Sequence, residues 1–278
     1  MRRPARGTGM ADNSTADRRS NIPGAANSQA LARGLHILRM LVDEGESMTA
    51  TEIGRRIGLH QSSASRILAT LSEAGYVRKN EAGRFVADYG VLALASATTK
   101  LPLMQRPRPA LEEFLSEHPT LTVSICMLFR DEMIYLLRAH KDRDPLVYWS
   151  GGFPLNISSP GLRLVVDLDD DDAIAILKVS RQRFGWGGRP EVVPATEEGV
   201  LAKARSLVDD DVLILSEWFH QGHIGGAIPL DTPEPHPVAL AIVDERAEIS
   251  PEKLTVLLHQ ARRVVEHSFL NPARDSNL

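Results

Sequence analysis

Apolar residues recur at helical spacing along the segment that follows residue 27. This spacing predicts a first helix of about 15 residues, from near Ser28 to Gly45, whose apolar face consists of Leu31, Leu35, Leu38 and Val42. Residues 1–27 differ from this pattern, because they are rich in Arg, Ala, Asn, Ser, Gly and Asp and have almost no large apolar side chains. They are predicted to form a disordered basic tail, since they cannot bury a core.

Two more helices are predicted next. Thr49 and Glu52 have the spacing of a capping box, in which each side chain satisfies a backbone N–H of the other residue. The short helix that they begin ends at Gly58. A third helix is predicted over residues 60–74, with an apolar face formed by Ala64, Ile67, Leu68 and Leu71.

Two short strands, at 76–79 and 84–87, complete the N-terminal domain. Two short helices joined by a glycine turn form a helix-turn-helix, and the strands add a wing. We therefore expect a winged helix-turn-helix domain over residues 28–87. An apolar helix followed by a proline-rich stretch indicates a linker helix and linker over 88–109.

Strands and helices are mixed in the rest of the chain. Residues 122–129 and 133–139 are predicted to form a hairpin, and further strands are expected at 212–215, 223–229 and 238–243. Helices are predicted to begin near Ser159, Asp169 and Ser250. This order favours an antiparallel sheet flanked by helices over residues 110–270 and an α+β fold class for the chain, with a tail at 271–278.

The charge distribution adds a functional indication. Residues 1–86 carry 13 Lys and Arg against 8 Asp and Glu, whereas the remainder carries 19 basic and 28 acidic residues. A basic end on an acidic body suggests that this end meets a polyanion, although a basic tail alone gives the same sign. One cysteine and no long apolar run predict a cytoplasmic protein with no membrane partner.

The polar face of the third helix is the candidate DNA-reading element. Short or flexible polar side chains let a helix lie deep in the major groove, and Gln and Arg read base edges through paired hydrogen bonds. Backbone amides near residues 61–63 are expected to hold a phosphate. The alternative is a three-helix packing module whose polar face is merely solvated. The predicted DNA-binding residues are Gln61, Ser62, Ser63, Ser65, Arg66 and Thr70 of the helix, with Arg78, Lys79 and Arg84 of the wing.

Three segments resemble the IclR family of bacterial transcription regulators: ALARGLHIL at 30–38, TATEIGRRIGL at 49–59 and SSASRILATLSEAGYV at 62–77. The resemblance extends more weakly to about residue 268. It implies a double-stranded DNA partner with a palindromic or paired half-site operator. Family members usually place Pro-Lys before the recognition helix, whereas this chain has His60 and Gln61.

The resemblance also implies a GAF-like C-terminal domain that binds a small-molecule effector. LNISSPGLRLV at 155–165 matches the loop and helix at the family's ligand site, and HIGGAIPL at 223–230 and VALAIV at 238–243 match its strands. Free amides at Gly161 and Leu162, at a helix start, would attract a carboxylate or another polar group. The alternative is a simple capped helix. The predicted effector-binding residues are Cys126, Trp149, Asn156, Ser158, Gly161, Leu162, Glu217, Trp218, Gly225, Ala241 and Val243.

Family members often have Ser hydroxyls where this chain has Ala241 and Val243, so an aromatic or otherwise partly apolar effector is expected. Phe153 and Phe219 are further candidates for the pocket lining, although aromatic residues at such places also form cores. No cofactor is predicted, and a homodimer that pairs into a dimer of dimers is expected.

Two rival interpretations concern the C-terminal domain. A metal site would need Glu217, His220 and His223 to converge. A hydrolase would need Ser158 or Ser159 with His220 and Asp231, although the sequence has no Gly-x-Ser-x-Gly elbow. We therefore expect neither a metal site nor an enzyme.

Overall fold

The computed structural model describes residues 25–130, 132–140, 143–149, 153–246 and 248–270. The chain divides into two compact units, one up to Leu92 and one from Ala93 onward. Each unit is described by itself below. The predicted tail at 271–278 and residues 1–24 of the predicted N-terminal tail lie outside the described residues, and α1 already begins at Ala25.

The first unit consists of helices followed by a two-stranded wing. The helices are α1 (Ala25–Glu44), α2 (Ala50–Arg56) and α3 (Gln61–Glu73). Strands β1 (Val77–Lys79) and β2 (Phe85–Ala87) pair antiparallel, with Val77 opposite Ala87. Helix α4 (Gly90–Thr98) follows, and it continues past the boundary between the units.

The core of the first unit joins α1, α2 and α3 through Ile37, Ile53 and Leu68, which are fully buried. Gly54 permits the close approach of α2 to the turn before α3, because a Cβ atom there would lie 2.8 Å from the backbone oxygen of Leu59. Gly58 has a φ of +67° and forms the turn itself, a conformation that side chains with a Cβ rarely adopt. The predicted helix-turn-helix is therefore present.

The apolar face predicted for α1 is only partly covered in this unit. Leu38 is buried, but Leu31, Leu35 and Val42 are exposed, with Leu31 at 66%. Ile37 fills the core in their place. Helical spacing identifies residues that share a face, but it does not say whether the same chain covers that face.

The second unit is built on an antiparallel sheet. In the described residues the sheet has seven strands in the order β5-β4-β3-β9-β8-β7-β6. The strands are β3 (Thr122–Phe129), β4 (Glu132–His140), β5 (Arg143–Trp149), β6 (Val208–Asp209), β7 (Val212–Ser216), β8 (Ile224–Leu230) and β9 (Val238–Asp244). The sequence analysis did not predict β5 or β6.

Helices cover both faces of this sheet. On one face pack α5 (Pro102–Gln105), α6 (Arg108–Glu117) and α10 (Pro251–Leu270). On the other face pack α7 (Ser159–Val165), α8 (Asp170–Phe184) and α9 (Glu197–Ser206), of which α9 was not predicted. The predicted α+β class, with an N-terminal winged helix-turn-helix and a C-terminal antiparallel sheet flanked by helices, is confirmed.

Among the residues that the structure describes, none of the helices is both long enough and apolar enough to cross a membrane.

Candidate functional site

The outer side of α3 presents two adjacent rows of polar or small side chains. Ala64 and Leu68 are fully buried on the inner side. The residues of the two outer rows are all exposed, and Ser63 at their border is half-buried. The rows are Gln61, Ser65 and Ala69, and Ser62, Arg66 and Thr70. The sequence-predicted residues of this helix are thus on one accessible side, except for Ser63.

A surface groove brings the first of these rows next to the wing. Gln61 and Ser65 of α3 line it together with Arg78 and Lys79 of β1. The remaining lining residues come from the start of α2, the rest of α3 and the wing: Thr49, Ala50, Thr51, Ala69, Ser72, Val77, Gly83, Phe85 and Asp88. Helix α3 and the wing therefore form one continuous surface.

His60 caps the N-terminus of α3. Its Nδ1 accepts a hydrogen bond from the backbone amide of Ser62 at 3.3 Å and lies 2.9 Å from the Ser62 hydroxyl. The amide of Ser63 donates to the backbone oxygen of His60. The predicted use of these amides for a phosphate is therefore wrong for Ser62 and Ser63, because His60 already satisfies both.

The three basic residues of the wing have different surroundings. Nε of Arg78 lies 3.5 Å from a carboxylate oxygen of Asp88, and Nζ of Lys79 lies over the ring of Phe85 at 5.1 Å. Arg84 donates to the backbone oxygen of Ser47 from Nε at 2.9 Å and from Nη2 at 2.7 Å. Arg78 and Lys79 are exposed, whereas Arg84 ties the wing to the segment before α2.

The capping box of α2 is present as predicted. The amide of Thr49 donates to the Glu52 carboxylate at 2.6 Å, and the amide of Glu52 donates to the Thr49 hydroxyl at 3.2 Å. The hydrogen bonds from Thr49 hold the pKa of Glu52 below its ordinary value, and Arg84 contributes to the same shift. Because its pKa is lowered, the Glu52 carboxylate is suited to form an ion pair with Arg84 of the wing.

The second unit contains a cavity of about 110 Å³ between the start of α7 and the sheet. Strands β3, β4 and β9 form its floor, and the segment before α7 and the loop after β7 form its walls. Its lining consists of Thr122, Ser124, Tyr135, Arg138, Phe153, Ile157, Ser158, Ser159, Pro160, Phe219, His220, His223, Ala241, Val243 and Glu245. This cavity is the candidate effector pocket.

Three residues of the lining that carry hydroxyl groups are largely buried. Thr122 and Ser124 on β3 are each 4% exposed, and Ser159 at the start of α7 is 5% exposed. None of the three side chains makes a hydrogen bond within the described ranges. The sequence analysis missed Thr122 and Ser124, although their signal was two polar residues in alternating positions of an otherwise apolar strand.

Aromatic rings gather at one side of the pocket. The ring of Phe219 lies 5.6 Å from that of Phe153 and 5.5 Å from that of His223. Burial and the neighbouring His220 lower the pKa of His223 below its ordinary value of 6.5, against the smaller opposing effect of Glu245 and Asp244. His223 is therefore neutral near pH 7 and presents an uncharged ring to the pocket.

The predicted free amides at the start of α7 are not free. The amide of Gly161 donates to the hydroxyl of Ser158 at 3.1 Å, and the amide of Leu162 donates to the backbone oxygen of Ser158 at 2.8 Å. Leu162 is fully buried in the core, and neither it nor Gly161 lines the cavity. The amide prediction is wrong because Ser158 caps α7 and satisfies both donors.

Three other predicted effector-binding residues have structural contacts. The Asn156 amide group donates to the backbone oxygen of Gly187 at 2.8 Å and accepts from the amide of Gly187 at 3.2 Å, so it points away from the cavity. Glu217 accepts from Arg189 at 2.6 Å. Trp218 is buried in the core with α7, α8 and α9.

The remaining predicted pocket residues lie at or near the cavity. Ala241 and Val243 line it, and Ser158 does so as well. Gly225 lies directly beside it, because a Cβ atom there would be 3.2 Å from the Ser159 hydroxyl. Cys126 is fully buried and does not line it, whereas its cross-strand partner Tyr135 does. The backbone of Trp149 ends β5, and its side chain lies outside the described part of the structure.

Most side chains that a metal site or a hydrolase would need have other partners in the structure. Glu217 pairs with Arg189, and among the described residues no three His, Cys, Asp or Glu side chains come together as a metal site. The Ser158 hydroxyl accepts from the Gly161 amide and donates to Met133 Sδ, while His220 Nδ1 lies 2.9 Å from the backbone oxygen of Gln221. The described contacts therefore place no histidine on the Ser158 hydroxyl.

Comparison with known proteins finds a family model that matches part of the first unit. Residues 30–81 match the family model of the IclR helix-turn-helix domain. The transcriptional repressor IclR of Escherichia coli (strain K12) is 23% identical over 164 residues, which are 57% of this chain and 60% of that protein. The match thus spans about 60% of the length of the curated relatives.

Solved structures share the fold of the chain as a whole. An IclR family transcriptional regulator from Brucella abortus has a TM-score of 0.69 at 23% identity, covering 91% of this chain and 93% of that one. An IclR homolog from Microbacterium hydrocarbonoxydans, complexed with 4-hydroxybenzoate, has a TM-score of 0.64 at 22% identity, covering 87% and 99%. The family-model match confirms the resemblance to the IclR family for residues 30–81, and the solved structures show that the chain shares their fold.

Proposed function

We propose, since residues 30–81 form a helix-turn-helix domain of the IclR family, that the chain is a sequence-specific DNA-binding transcription regulator. Its second unit binds a small-molecule effector that controls operator affinity. The relatives with assigned functions are transcriptional repressors, which supports a regulator rather than an enzyme. A cytoplasmic location follows from this function, because the operator DNA is there.

The observation that carries this proposal is the division of α3 into two sides. Ala64 and Leu68 anchor it to the core, while the rows that contain Gln61 and Arg66 remain accessible. A helix with this division can enter the major groove without unfolding the domain. Arg78 and Lys79 lie beside the same groove and are suited to phosphate contacts.

A gel shift on the DNA upstream of the chain's own gene tests this function. Arg66→Ala is expected to weaken operator binding by about 1–3 kcal/mol if Arg66 contacts a base. Lys178→Ala, which removes an exposed cation from α8 of the second unit, is the matched control. Equal affinity of the two variants and the wild type would remove Arg66 from the reading surface.

We also propose that the chain acts as a homodimer, because one recognition helix alone gives little specificity. Leu31 and Leu35 on α1 and Tyr89 and Leu92 around the start of α4 are exposed apolar side chains of the first unit. None of the residues of α4 is buried, although the helix is largely apolar. Exposed apolar patches of this kind are typical of association surfaces.

Sedimentation of the full chain tests this association. Leu35→Glu with Leu92→Glu is expected to shift the protein toward monomer and to weaken operator binding. Val256→Glu, at an exposed apolar position of α10, is the control. If the assembly formed by the double variant has the same mass as that of the wild type, the dimer surface lies elsewhere. The same experiment tests the prediction that two dimers assemble into a tetramer.

The expected effector is a small, partly apolar molecule. Phe153, Phe219 and Ile157 provide apolar contacts in the pocket. A cavity of about 110 Å³ is near the size that accepts one aromatic ring, since an apolar cavity of about 150 Å³ binds benzene. The 4-hydroxybenzoate in a solved structure with the same fold agrees with a ligand of this size.

A further inference from the structure

The turn between β6 and β7 consists of two aspartates with a left-handed backbone. Asp210 has a φ of +46° and Asp211 a φ of +66°. Asp209 pairs with Val212 across the hairpin, so these two aspartates alone form its turn. Asn-Gly and Asp-Gly are the preferred pairs for a two-residue turn in which both φ angles are positive. Asp211 therefore occupies a position that favours glycine, and such a conformation is retained where surrounding contacts fix it.

The carboxylates of this turn contact the terminal helix α10. Oδ2 of Asp211 accepts a hydrogen bond from Nη1 of Arg262 at 3.2 Å, and Oδ2 of Asp210 lies 3.0 Å from Nε2 of His259. Nε of Arg262 also donates to the carboxylate of Glu266 at 3.0 Å, one turn later on the same helix. Glycine in place of Asp211 would suit the backbone but would lose the contact with Arg262. The two carboxylates thus attach the turn to α10.

The same turn binds a buried arginine of α7, the helix whose start lines the pocket. Arg163 is 4% exposed, and its Nε donates to the backbone oxygen of Asp211 at 2.6 Å. Its Nη1 donates to the carboxylate of Asp167 at 2.6 Å. Arg163 follows Ser159 of the pocket lining by one helical turn. Because α7 and α10 pack on opposite faces of the sheet and β6 is an edge strand of its described part, the turn connects the two helices around the sheet edge.

The far end of α10 contacts the segment that follows α4. Nη1 of Arg106, between α5 and α6, donates to the backbone oxygen of Phe269 in the last turn of α10 at 3.1 Å. Leu103 and Met104 of α5 belong to the same core cluster as Leu258 of α10. In a close-packed interior of low compressibility, a displaced helix also displaces the groups attached to it. A displacement of α7 can therefore reach residues 101–110 through the turn and α10.

We propose that Asp210 and Asp211 transmit a displacement of the pocket helix α7 to α10, and that α10 transmits it through Arg106 to residues 101–110. This inference rests on the proposed control of operator affinity by an effector, and it describes the route of that control within the second unit. Arg163 is the positioning residue at the pocket end of the route, and Arg106 is the one at the other end. Energetic coupling between two sites is reciprocal, so a perturbation at either end must be detected at the other.

A rival route would run through β8, because Gly225 adjoins α7 and Gly226 adjoins α10. A turn variant, Asp210→Asn with Asp211→Gly, separates the two routes. It provides the pair of residues that such a turn favours and removes both carboxylates that contact α10. It is expected to fold with an unchanged or higher urea midpoint, while β8 keeps its contacts. Arg262→Gln takes its place if the turn variant does not fold.

Amide hydrogen exchange of the full chain, followed by mass spectrometry without DNA or effector, measures the coupling. Gly161→Ala perturbs the pocket end, because a Cβ atom there would lie 3.0 Å from Leu155 Cγ. It is expected to make exchange of residues 101–110 about 3-fold faster in the wild-type background and to leave it unchanged in the turn variant. Arg106→Gln perturbs the other end, and the same comparison is made for exchange of residues 155–166. No change in the wild-type background, or an equal change in the turn variant, overturns the proposal.

Asp170→Asn provides the matched control background. The carboxylate of Asp170 also forms an ion pair within the second unit, with Arg205 of α9, but this pair lies outside the turn. The effect of Gly161→Ala on exchange of residues 101–110 is expected to persist in this background. Loss of the effect in both the turn variant and Asp170→Asn would assign it to the general stability of the second unit, which overturns the proposal.

The exchange measurement separates this inference from the proposed function. It uses neither DNA nor effector, so a failed operator gel shift leaves its result intact. Conversely, absence of the coupling removes the route through the turn, while operator binding and its control by an effector are still tested by the gel shift.

Discussion

The guanidinium of Arg84 lies 2.9 Å from the carboxylate of Glu52, so one carboxylate serves both the wing and the first turn of α2. The same carboxylate accepts the amide of Thr49. Since the wing and α3 line one groove, this contact helps to fix the position of the wing relative to α3.

Arg84 and Arg78 are expected to affect different properties, although they are close neighbours in the wing. Arg84→Gln should lower the urea midpoint of the first unit, because it loses the hydrogen bonds to Ser47 and Glu52. Arg78→Gln should leave that midpoint unchanged, weaken DNA binding and reduce the salt slope by about one. The opposite pattern would mean that Arg84 contacts DNA and Arg78 stabilises the wing.

Removal of the α2 cap should destabilise the first unit. Thr49→Ala is expected to lower the free energy of unfolding by about 1 kcal/mol, because the Glu52 amide loses its acceptor. Thr51→Ala is the control, since Thr51 is exposed inside the same helix and alanine has the higher helix propensity. Urea unfolding should separate the two, and equal midpoints would contradict a role for the cap.

Gly161→Val should abolish effector binding and leave operator binding in place. A Cβ atom at this position would lie 3.0 Å from Leu155 Cγ and 3.1 Å from both Met133 Sδ and the Ser158 hydroxyl. The added side chain must therefore displace the start of α7, which lines the pocket. Calorimetry with 4-hydroxybenzoate and a gel shift measure the two properties, with the exposed Ala195→Val as control. Retained ligand binding would separate this helix start from the site.

The second unit should lose stability as the pH falls below about 6.5. The pKa of His223 is lowered in the folded chain, so the unfolded chain takes up a proton first and gains stability relative to the folded one. This stabilising contribution is fully present above 6.5 and is lost as the pH falls toward the folded pKa. His223→Gln should reduce the difference in unfolding free energy between about pH 7.5 and about pH 5.5. An unchanged difference would assign the pH dependence to other groups, and His118→Gln, packed on Phe114 away from the pocket, is the control.

Local rules identified much of the first unit from the sequence. The capping box at Thr49 and Glu52 and the glycine turn at Gly58 act through neighbouring backbone groups, and both are present. His60 could not be recognised as a cap, because helix-start rules favour Ser, Thr, Asp and Asn. Its role depends on the orientation of one ring relative to the Ser62 amide.

The lining of the pocket could not be predicted from the sequence, because it depends on which strands are adjacent and on hydrogen bonds between distant residues. Alternation along β3 was visible, but the face of Thr122 and Ser124 that meets α7 follows from the strand order. The Gly161 amide looked available because a helix start leaves donors free, yet Ser158 satisfies it. Asn156 and Glu217 were placed near the pocket by segment, whereas their partners Gly187 and Arg189 are about thirty residues away in sequence.

Gly225 and Gly226 adjoin different helices although they are neighbours on β8. A methyl group at Gly225 would meet the hydroxyl of Ser159 on the pocket side, while one at Gly226 would lie 2.7 Å from Leu258 of α10 on the other side. Substitution of Gly225 during evolution can therefore change the shape of the pocket without moving α10. The second position is more restricted, since a side chain there must displace the packed side chains of Leu254 and Leu258 of α10.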